Sequence, residues 1–193
     1  MIKFNDGSIY QGMTHTRIFN GKGRMTHANT DIYQGEFLNG KAHGYGVVVY
    51  AEGSIYEGDW KNDRQHGKGL ETWVDNGSMR YEGDFFEGAK TGKGRFEFEG
   101  SFYEGDFVDG NFQGQGNYFF ADSGKIYKGE FQNNFISGNG CMIFPDGSRY
   151  DGAFKEGKME GHGIMQMVNG DRYQGQFKDD LKDGTGLLYD MAA

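Results

Sequence analysis

The chain has 193 residues, including 35 glycines, one proline, one cysteine, 17 phenylalanines and 12 tyrosines. A single proline excludes collagen, which needs abundant proline, and an aromatic content of 16% excludes a glycine-rich disordered linker. One cysteine excludes a disulfide framework and a cysteine-based zinc cluster. A net charge of −8 argues against broad nucleic-acid binding, which depends on Lys and Arg contacts to phosphate.

The sequence predicts neither a membrane-spanning helix nor a secretory signal. No run of apolar residues reaches the length of about 18 that predicts a membrane-spanning helix. The N-terminal residues, Met1 to Asp6, have no apolar core followed by a small-residue cleavage site, so we predict no secretory signal. The one cysteine, Cys141, is compatible with a reducing compartment. We therefore expect an intracellular protein.

A repeat of about 23 residues runs through the chain. A Tyr-x-Gly pair recurs eight times, and a Gly-x-Gly pair begins 11 residues after each of these tyrosines. The repeats start at Tyr10, Tyr33, Tyr56, Tyr81, Tyr103, Tyr127, Tyr150 and Tyr173. The distance from Gly-x-Gly to the next tyrosine varies, and insertions are tolerated best at exposed tips. We therefore predict a fixed turn after each Tyr-x-Gly strand and an open hairpin tip after each Gly-x-Gly strand.

The first strand of each repeat shows strict alternation. In Tyr56-Glu57-Gly58-Asp59-Trp60, apolar or small residues alternate with carboxylates. A period of two places Tyr56, Gly58 and Trp60 on one face of a β-strand and the carboxylates on the other. The same alternation recurs in the other repeats, so we predict a sheet with one aromatic face.

The second strand of each repeat starts at the Gly-x-Gly pair. Steps of two from Gly46 place Val48 and Tyr50 on the face of the glycines. The fixed turns contain Gly, Asn or Asp, as in Asn39-Gly40, and these residues accept the positive φ of tight hairpins. The tips carry similar pairs, namely Asp6-Gly7, Glu52-Gly53, Asn76-Gly77, Asp146-Gly147 and Asn169-Gly170. No segment has a capped 3.6-residue period, so we predict almost no helix.

Glycine in the interior of a strand is destabilising unless its missing side chain is used. Each strand glycine lies between aromatic positions on one face, as Gly105 does between Tyr103 and Phe107. We interpret these glycines as packing devices that open a slot for a neighbouring ring.

The pattern Tyr-x-Gly-x-(Trp/Phe)-x-x-Gly-x-x-x-Gly-x-Gly resembles the MORN (membrane occupation and recognition nexus) repeat. Two full matches start at Tyr33 and at Tyr103. The resemblance predicts one array over residues 1–193, with about eight repeats and a partial repeat at each end. The first copy departs from the pattern, since Thr14 replaces the aromatic residue and Arg17 replaces the turn residue. The partial repeats leave two alternatives open, a protein made only of repeats or a fragment of a longer one.

The resemblance implies an all-β fold, an elongated twisted single-layer antiparallel β-sheet solenoid with one hairpin per repeat. In such an array each repeat contacts only its neighbours. MORN arrays occur in cytoskeletal and ciliary scaffolds, at membrane junctions with proposed phospholipid binding, and as appendages of lysine methyltransferases and lipid kinases. Because we find no catalytic domain in this sequence, the resemblance implies one of the first two roles.

The motifs that suggest chemistry are products of the repeat. Residues 35–42 nearly match a phosphate loop but lack the Mg²⁺-binding hydroxyl and do not open a helix. His43 and His66 share one slot of neighbouring repeats, but no third metal ligand accompanies them. Carboxylate pairs such as Glu57 and Asp59 recur in most repeats, so we interpret them as a solvated face. We predict no catalytic residue, no metal site, no cofactor and no enzymatic activity.

Two groups of residues are candidate binding sites. The excess of aromatic residues in repeats 4 and 5 predicts an exposed apolar patch for a protein partner, with mutual coverage of the rings as the alternative. The predicted partner-binding residues are Phe96, Phe98, Tyr103, Phe107, Tyr118 and Phe120. A basic rim near the fixed turns is interpreted as solvated, with anionic lipid binding as the alternative. Its residues are Lys61, Arg64, Lys68, Lys90, Lys93 and Arg95.

From these residues and the resemblance we predict a non-catalytic scaffold that binds a protein partner through an amphipathic helix or an extended segment. The expected setting is a cytoskeletal, axonemal or cortical assembly. The alternative is a peripheral membrane module that binds acidic phospholipids, which the net charge of −8 disfavours. Open strands at the sheet ends predict a homodimer as a competing mode of association. We expect no nucleic-acid partner.

Overall fold

The computed structural model describes residues 1–16, 18–74 and 79–191, and every regular element in these ranges is a β-strand. The predicted tip Asn76-Gly77 and the turn position Arg17 lie outside the described residues. Accordingly, the part of the chain that the structure describes contains no helix that could cross a membrane. The backbone divides into two compact units, Met1–Glu99 and Gly100–Ala193.

The first unit is an antiparallel sheet in which each strand pairs with its neighbours in the chain. Its strands are β1 (Ile2–Lys3), β2 (Ile9–His15), β3 (Ile18–Thr26), β4 (Ile32–Leu38), β5 (Lys41–Val49), β6 (Ile55–Lys61), β7 (Arg64–Trp73), β8 (Met79–Phe86) and β9 (Ala89–Phe98).

The second unit is built in the same way. Its strands are β10 (Ser101–Val108), β11 (Asn111–Phe119), β12 (Ile126–Gln132), β13 (Phe135–Ile143), β14 (Arg149–Lys155), β15 (Lys158–Gln166), β16 (Arg172–Lys178) and β17 (Leu181–Tyr189). In both units a strand packs mainly against the strands beside it in the sequence, so each unit is a single layer. The prediction of an all-β antiparallel sheet with almost no helix is confirmed.

The fixed turns are two-residue hairpins with a left-handed backbone, as predicted. Asn39 and Gly40 have φ values of 51° and 82°, and Asn62 and Asp63 have values of 52° and 66°. The turns also connect successive hairpins. The backbone N–H of Asp63 donates to the carbonyl of Ala42 over 3.0 Å, and Asp63 Oδ1 accepts the N–H of Ala42 over 2.7 Å. The preference for Asn and Asp at these turns therefore serves both the turn and the next repeat.

The tyrosine of each Tyr-x-Gly pair lies on one side of its sheet, which we call the aromatic face; the other side is the opposite face. On β6, Tyr56, Gly58 and Trp60 are buried and the residues between them are exposed. Edge-to-face ring contacts continue between hairpins, as between Tyr103 and Phe131 with centroids 4.8 Å apart. The tyrosines with less than 2% exposure are Tyr10, Tyr56, Tyr81, Tyr103, Tyr127 and Tyr150. The predicted alternation is confirmed.

The strand glycines make room for these tyrosine rings. Gly58 and Gly69 face each other on β6 and β7, and a Cβ built on Gly58 would lie only 2.5 Å from the Cα of Gly69. A Cβ on Gly69 would lie 2.7 Å from Cζ of Tyr56, and the Tyr56 hydroxyl donates to the carbonyl of Asp59 over 2.8 Å. The glycines are packing devices, as predicted. The slot, however, lies under the ring of the repeat's own tyrosine, between two strands, and not between the tyrosine and the following aromatic residue.

A β-bulge at each Gly-x-Gly pair was not predicted. The first glycine has a positive φ in every repeat, and Gly67 with a φ of 59° is an example. Opposite the step from Gly58 to Asp59, the strand β7 contains the two extra residues Gly67 and Lys68. The carboxylate of Asp59 accepts the backbone N–H of Lys68 over 3.1 Å. Equivalent bonds are made by Asp84, Asp106 and Glu130. These carboxylates are therefore more than a solvated face, because they satisfy the bulge backbone.

Ala153 occupies this capping position in the seventh repeat, so the bulge at Gly161, with a φ of 70°, lacks a carboxylate from that position. We expect Ala153→Asp to raise the free energy of unfolding by about 1 kcal/mol, because the new carboxylate accepts the N–H of His162. This corresponds to a rise of about 2–4 °C in Tm. Ala153→Val adds bulk without an acceptor and serves as the control. Equal Tm values for the Ala153→Asp and Ala153→Val variants would contradict the capping role.

Candidate functional site

Two of the predicted partner-binding residues are buried inside the second unit. Tyr103 and Phe107, both on β10, have exposures of 0% and 2%. The ring of Tyr103 stacks on Phe112 with centroids 3.9 Å apart, and its hydroxyl donates to the carbonyl of Asp106 over 2.8 Å. Burial raises the pKa of Tyr103 to about 12. Since neither side chain has surface left for direct contact, we assign both to the interior of the sheet.

Tyr118 and Phe120 remain accessible in the same unit. Both are half-buried, and their ring centroids lie 4.4 Å apart. Tyr118 belongs to the aromatic face because it pairs with Tyr103 on one side and Tyr127 on the other. Burial raises the pKa of the Tyr118 hydroxyl, and the negative charge of Asp122 raises it further. The structure thus brings these two rings together at the tip end of the face, close to a carboxylate.

The other two predicted aromatic residues belong to the first unit. Phe96 lies on the aromatic face opposite Tyr81, with its ring centroid 6.2 Å from that of Trp73. Phe98 ends β9 with 39% of its surface exposed. Their binding role stays a prediction.

The second unit exposes apolar residues that the sequence analysis left out of the candidate site. Phe144, Met165 and Met167 occupy the positions that Tyr118 and Phe120 occupy in an earlier repeat, and all three are half-buried. Along the described strands β10 to β15, no charged side chain lies on the aromatic face. We call Tyr118, Phe120, Phe144, Met165 and Met167 the apolar strip. The repeat itself was the signal, since equivalent positions of one array share one face.

The aromatic excess of repeats 4 and 5 is divided between the two faces. Phe102 and Phe119 pair with each other on the opposite face, with centroids 5.7 Å apart. The second unit therefore has half-buried aromatic residues on both sides.

The predicted basic rim is largely paired with carboxylates. Arg64 lies 3.2 Å from Glu87, and Lys68 lies 2.6 Å from Asp84, measured between nitrogen and oxygen atoms. Arg95 contacts the carboxylate of Glu97 over 2.7 Å. Lys61 and Lys93 are exposed at the fixed-turn end of the unit.

Lys90 is not a rim residue, because its side chain lies on the aromatic face of the first unit. It pairs with Phe85 across β8 and β9, and its Nζ lies 4.8 Å from the ring centroid of Trp73. Its carboxylate partner is Glu71, at 2.6 Å, and the two side chains are only 22% and 14% exposed. In repeats 6 and 7, which belong to the second unit, the equivalent positions hold Met142 and Met159, both buried. In repeats 3 and 4 a charged pair therefore takes the place of two buried methionines.

Lys90→Met is expected to lower the free energy of unfolding by about 2 kcal/mol, since it leaves the largely buried carboxylate of Glu71 without a partner. The double variant Glu71→Met/Lys90→Met reproduces Met142 and Met159 and should lie within about 1 kcal/mol of wild type. Urea unfolding of Lys90→Met, Glu71→Met and the double variant measures these values. A double variant whose destabilisation equals the sum of the two single variants would show that the pair does not couple.

Cys141 and the clustered His, Asp and Glu side chains are the remaining groups that could carry chemistry. Cys141 is half-buried on the opposite face, where burial and the nearby Asp151 raise the pKa of its thiol. A raised pKa lowers the reactive thiolate fraction. Within residues 1–16, 18–74 and 79–191, no group of three or more His, Cys, Asp or Glu side chains is arranged to hold a metal ion.

Among the solved structures that resemble the chain weakly are the following three. The TCP domain of Drosophila Melanogaster SAS-4 (dCPAP), in complex with a proline-rich motif of Ana2 (dSTIL), is 13% identical with a TM-score of 0.49; the match covers 89% of this chain and 84% of that one. The G-box domain of the microcephaly protein CPAP is 11% identical with a TM-score of 0.37, over 97% and 96%. The TCP10 domain of Danio rerio CPAP, in complex with a Danio rerio STIL peptide, is 12% identical with a TM-score of 0.33, over 94% and 88%. With all TM-scores below 0.5, these likenesses carry no argument about function.

No curated protein matches the sequence significantly. The sequence model of the MORN repeat, in contrast, matches seven consecutive segments, which are residues 33–55, 56–78, 81–100, 103–125, 127–149, 150–172 and 173–190.

The hairpin that starts at Tyr10 lies outside these matches but folds alike. The Tyr10 hydroxyl donates to the carbonyl of Met13 over 2.7 Å. The ring of Phe19 stacks on that of Tyr10 with centroids 3.9 Å apart. Both contacts form although Thr14 replaces the usual aromatic residue of this hairpin. Sequence matches and hairpin geometry agree over most of the described residues. The chain belongs to the MORN repeat family.

Proposed function

We propose that the protein is a non-catalytic scaffold whose aromatic face binds a segment of a protein partner. The observation that carries the proposal is the apolar strip of the second unit. Its rings and thioethers are half-buried on a single-layer sheet, so no second layer of the unit covers them. Apolar side chains that stay partly exposed together on one face usually mark a binding site. The partner-binding residues are then Tyr118, Phe120, Phe144, Met165 and Met167, supported from within by Tyr103 and Phe107.

We further propose a cytoskeletal setting, axonemal or cortical, for this scaffold. The support is membership of the MORN family, whose arrays occur in such assemblies. The array is proposed to act as one domain over residues 1–193, with Phe96 and Phe98 as further contacts in the first unit. A homodimer through the sheet ends stays a prediction.

The lipid alternative receives less support from the geometry of the rim. Arg64, Lys68, Lys90 and Arg95 each have a carboxylate within 3.2 Å. Such pairing lowers the local positive potential that anionic lipid requires, and the chain as a whole carries a net charge of −8. We therefore do not propose acidic phospholipids as ligands.

Affinity purification with quantitative mass spectrometry tests the proposal. Aromatic anchors usually dominate an interface, and each contributes about 2 kcal/mol or more. The double variant Phe120→Ser/Phe144→Ser should therefore capture at least about tenfold less of a specific partner than wild type does.

Phe135→Ser is the matched control. Phe135 is 60% exposed and lies on the opposite face, where it pairs with Gln132 of the neighbouring strand. Circular dichroism must show that each variant is folded. Undiminished capture by the double variant, or an equal loss in the control, would count against a partner site on the aromatic face.

A further inference from the structure

We propose that the segment bound by the apolar strip is a basic amphipathic helix, with Lys or Arg side chains flanking an apolar stripe. The inference rests on the proposed function and adds the chemistry of the partner. Three features of the second unit support it, namely the direction of its cations, the charge of its margins and the make-up of the strip.

Most of the cations of the second unit point away from the strip. The exceptions are Lys125, at a tip, and Lys182, whose Nζ lies 4.7 Å from the ring centroid of Tyr173 on the aromatic face. Residues 100–193 contain eight Lys and Arg residues. Six of them directly precede or follow an aromatic-face residue in a strand. Because side chains alternate along a strand, these six lie on the opposite face. These six are Lys128, Arg149, Lys155, Lys158, Arg172 and Lys178.

The margins of the second unit are acidic. The hairpin connections between β10 and β17 carry seven carboxylates and one lysine, Lys125. The tip margin has Asp122, Asp146 and Asp171, and the fixed-turn margin has Asp109, Glu156, Asp179 and Asp180. Of these, Asp179 forms an ion pair with Lys158 over 2.7 Å. The strip lies at the tip side of the face, beside Asp122, Asp146 and Asp171. These surroundings are complementary to an apolar helix stripe flanked by cations.

The carboxylates at these margins act on the aromatic face itself. The charge of Asp122 contributes to the raised pKa of Tyr118 at the tip side. At the fixed-turn side, burial raises the pKa of Tyr150 to about 12, with further contributions from Asp180 and Glu160. Carboxylates of both margins therefore lie near the aromatic face.

The strip already holds one ammonium group. Nζ of Lys125 lies 5.6 Å from the ring centroid of Phe144, which is a cation–π contact. Met165 and Met167 add flexible thioethers that adapt to an irregular apolar surface. An amphipathic helix that lays its apolar side along a groove is a common mode of recognition.

Three synthetic 20-residue helical peptides test the charge of the partner. They share one leucine stripe, and their remaining positions are all Lys, all Gln or all Glu. Fluorescence anisotropy with the full chain should show the Lys peptide binding at least about tenfold more tightly than the Glu peptide. The affinity of the Lys peptide should fall at least about fivefold between 50 and 500 mM NaCl, because exposed charges are screened.

Matched variants locate the effect. Asp122→Asn/Asp146→Asn removes two carboxylates from the tip margin beside the strip and should weaken the Lys peptide about fivefold. Glu104→Gln/Asp151→Asn makes the same change in net charge on the opposite face and should leave the affinity unchanged. Phe120→Ser/Phe144→Ser should weaken all peptides that bind wild type.

The outcomes separate this inference from the proposed function. If the Gln and Glu peptides bind as tightly as the Lys peptide and the serine variant loses all three, the basic partner is wrong and the apolar site stands. Equal loss in the margin variant and the opposite-face control also overturns the inference, since only net charge would then matter. If no peptide binds, or if the serine variant binds like wild type, both proposals fail. A dimer in light scattering that the serine variant dissociates would identify a second copy as the occupant and would overturn the inference too.

Discussion

Gly105→Val is expected to destabilise the protein by about 3 kcal/mol. A Cβ at this position would lie 2.6 Å from the carbonyl oxygen of Gln115 and 2.6 Å from the Cα of Gly116, and would also press on the hydroxyl of Tyr103. Two of these obstacles are backbone atoms of the neighbouring strand β11, which cannot turn aside as a side chain can. The strands β10 and β11 must therefore separate at the bulge, where Asp106 caps the backbone. Urea unfolding measures the loss.

Gly110→Ala is the control for this variant. A Cβ on Gly110 meets no atom within 4 Å, but the residue has a φ of 80°. Its cost should be about 1 kcal/mol, from the left-handed backbone alone. If Gly105→Val has the same free energy of unfolding as wild type, the strand glycines are not required for packing.

Alkaline pH is expected to unfold the protein cooperatively between about pH 10 and 12. Burial raises the pKa of Tyr103, Tyr127 and Tyr150 to about 12, and it raises the pKa of Tyr56 and Tyr81 as well. A tyrosine whose pKa is raised in the folded state does not change the free energy of unfolding below its unfolded pKa near 10. As the pH rises from there toward the folded pKa, the free energy of unfolding falls. Each tyrosine with a pKa near 12 then costs about 2 to 3 kcal/mol at pH 12, and the costs of several tyrosines add.

Tyrosinate absorbance and far-ultraviolet circular dichroism, recorded on the same pH titration, check this expectation. Most of the tyrosinate signal should change together with the sheet signal, because the buried hydroxyls ionise only when the sheet opens. Tyr45 and Tyr189 are exposed and lie outside this expectation. Formation of most of the tyrosinate near pH 10 while the sheet signal persists would contradict the burial of the tyrosine row.

The fold could be predicted because its determinants are local and repeated. The alternation in Tyr56-Glu57-Gly58-Asp59-Trp60 defines a face within five residues, and the constant distance from Tyr56 to Gly67 defines a hairpin. The bulge was not predicted because the sequence pattern does not distinguish the first glycine of Gly-x-Gly from the second. Only the backbone shows that Gly67 needs a positive φ while Gly69 needs space for a ring.

The candidate site was harder to predict than the fold. Tyr103 and Tyr118 have the same side chain on the same face, yet one is fully buried and the other is half-buried. Which rings cover which depends on side-chain packing between hairpins, which residue spacing does not determine. Lys90 shows the same limit, because steps of two from Gly94 place it on the aromatic face, whereas its partner Glu71 is found only through the register of three strands.

The two-strand repeat also sets a length scale for whatever lies along the second unit. Strands spaced about 4.8 Å apart advance equivalent positions by roughly 10 Å per repeat, so Tyr118, Met142 and Met165 mark successive steps of this size. Seven residues of an α-helix span about 10.5 Å and return to the same helical side. Three residues of an extended strand also span about 10 Å, but the third residue points to the other side. A helix can therefore place one apolar side chain against every repeat. An extended segment can place one only against every second repeat.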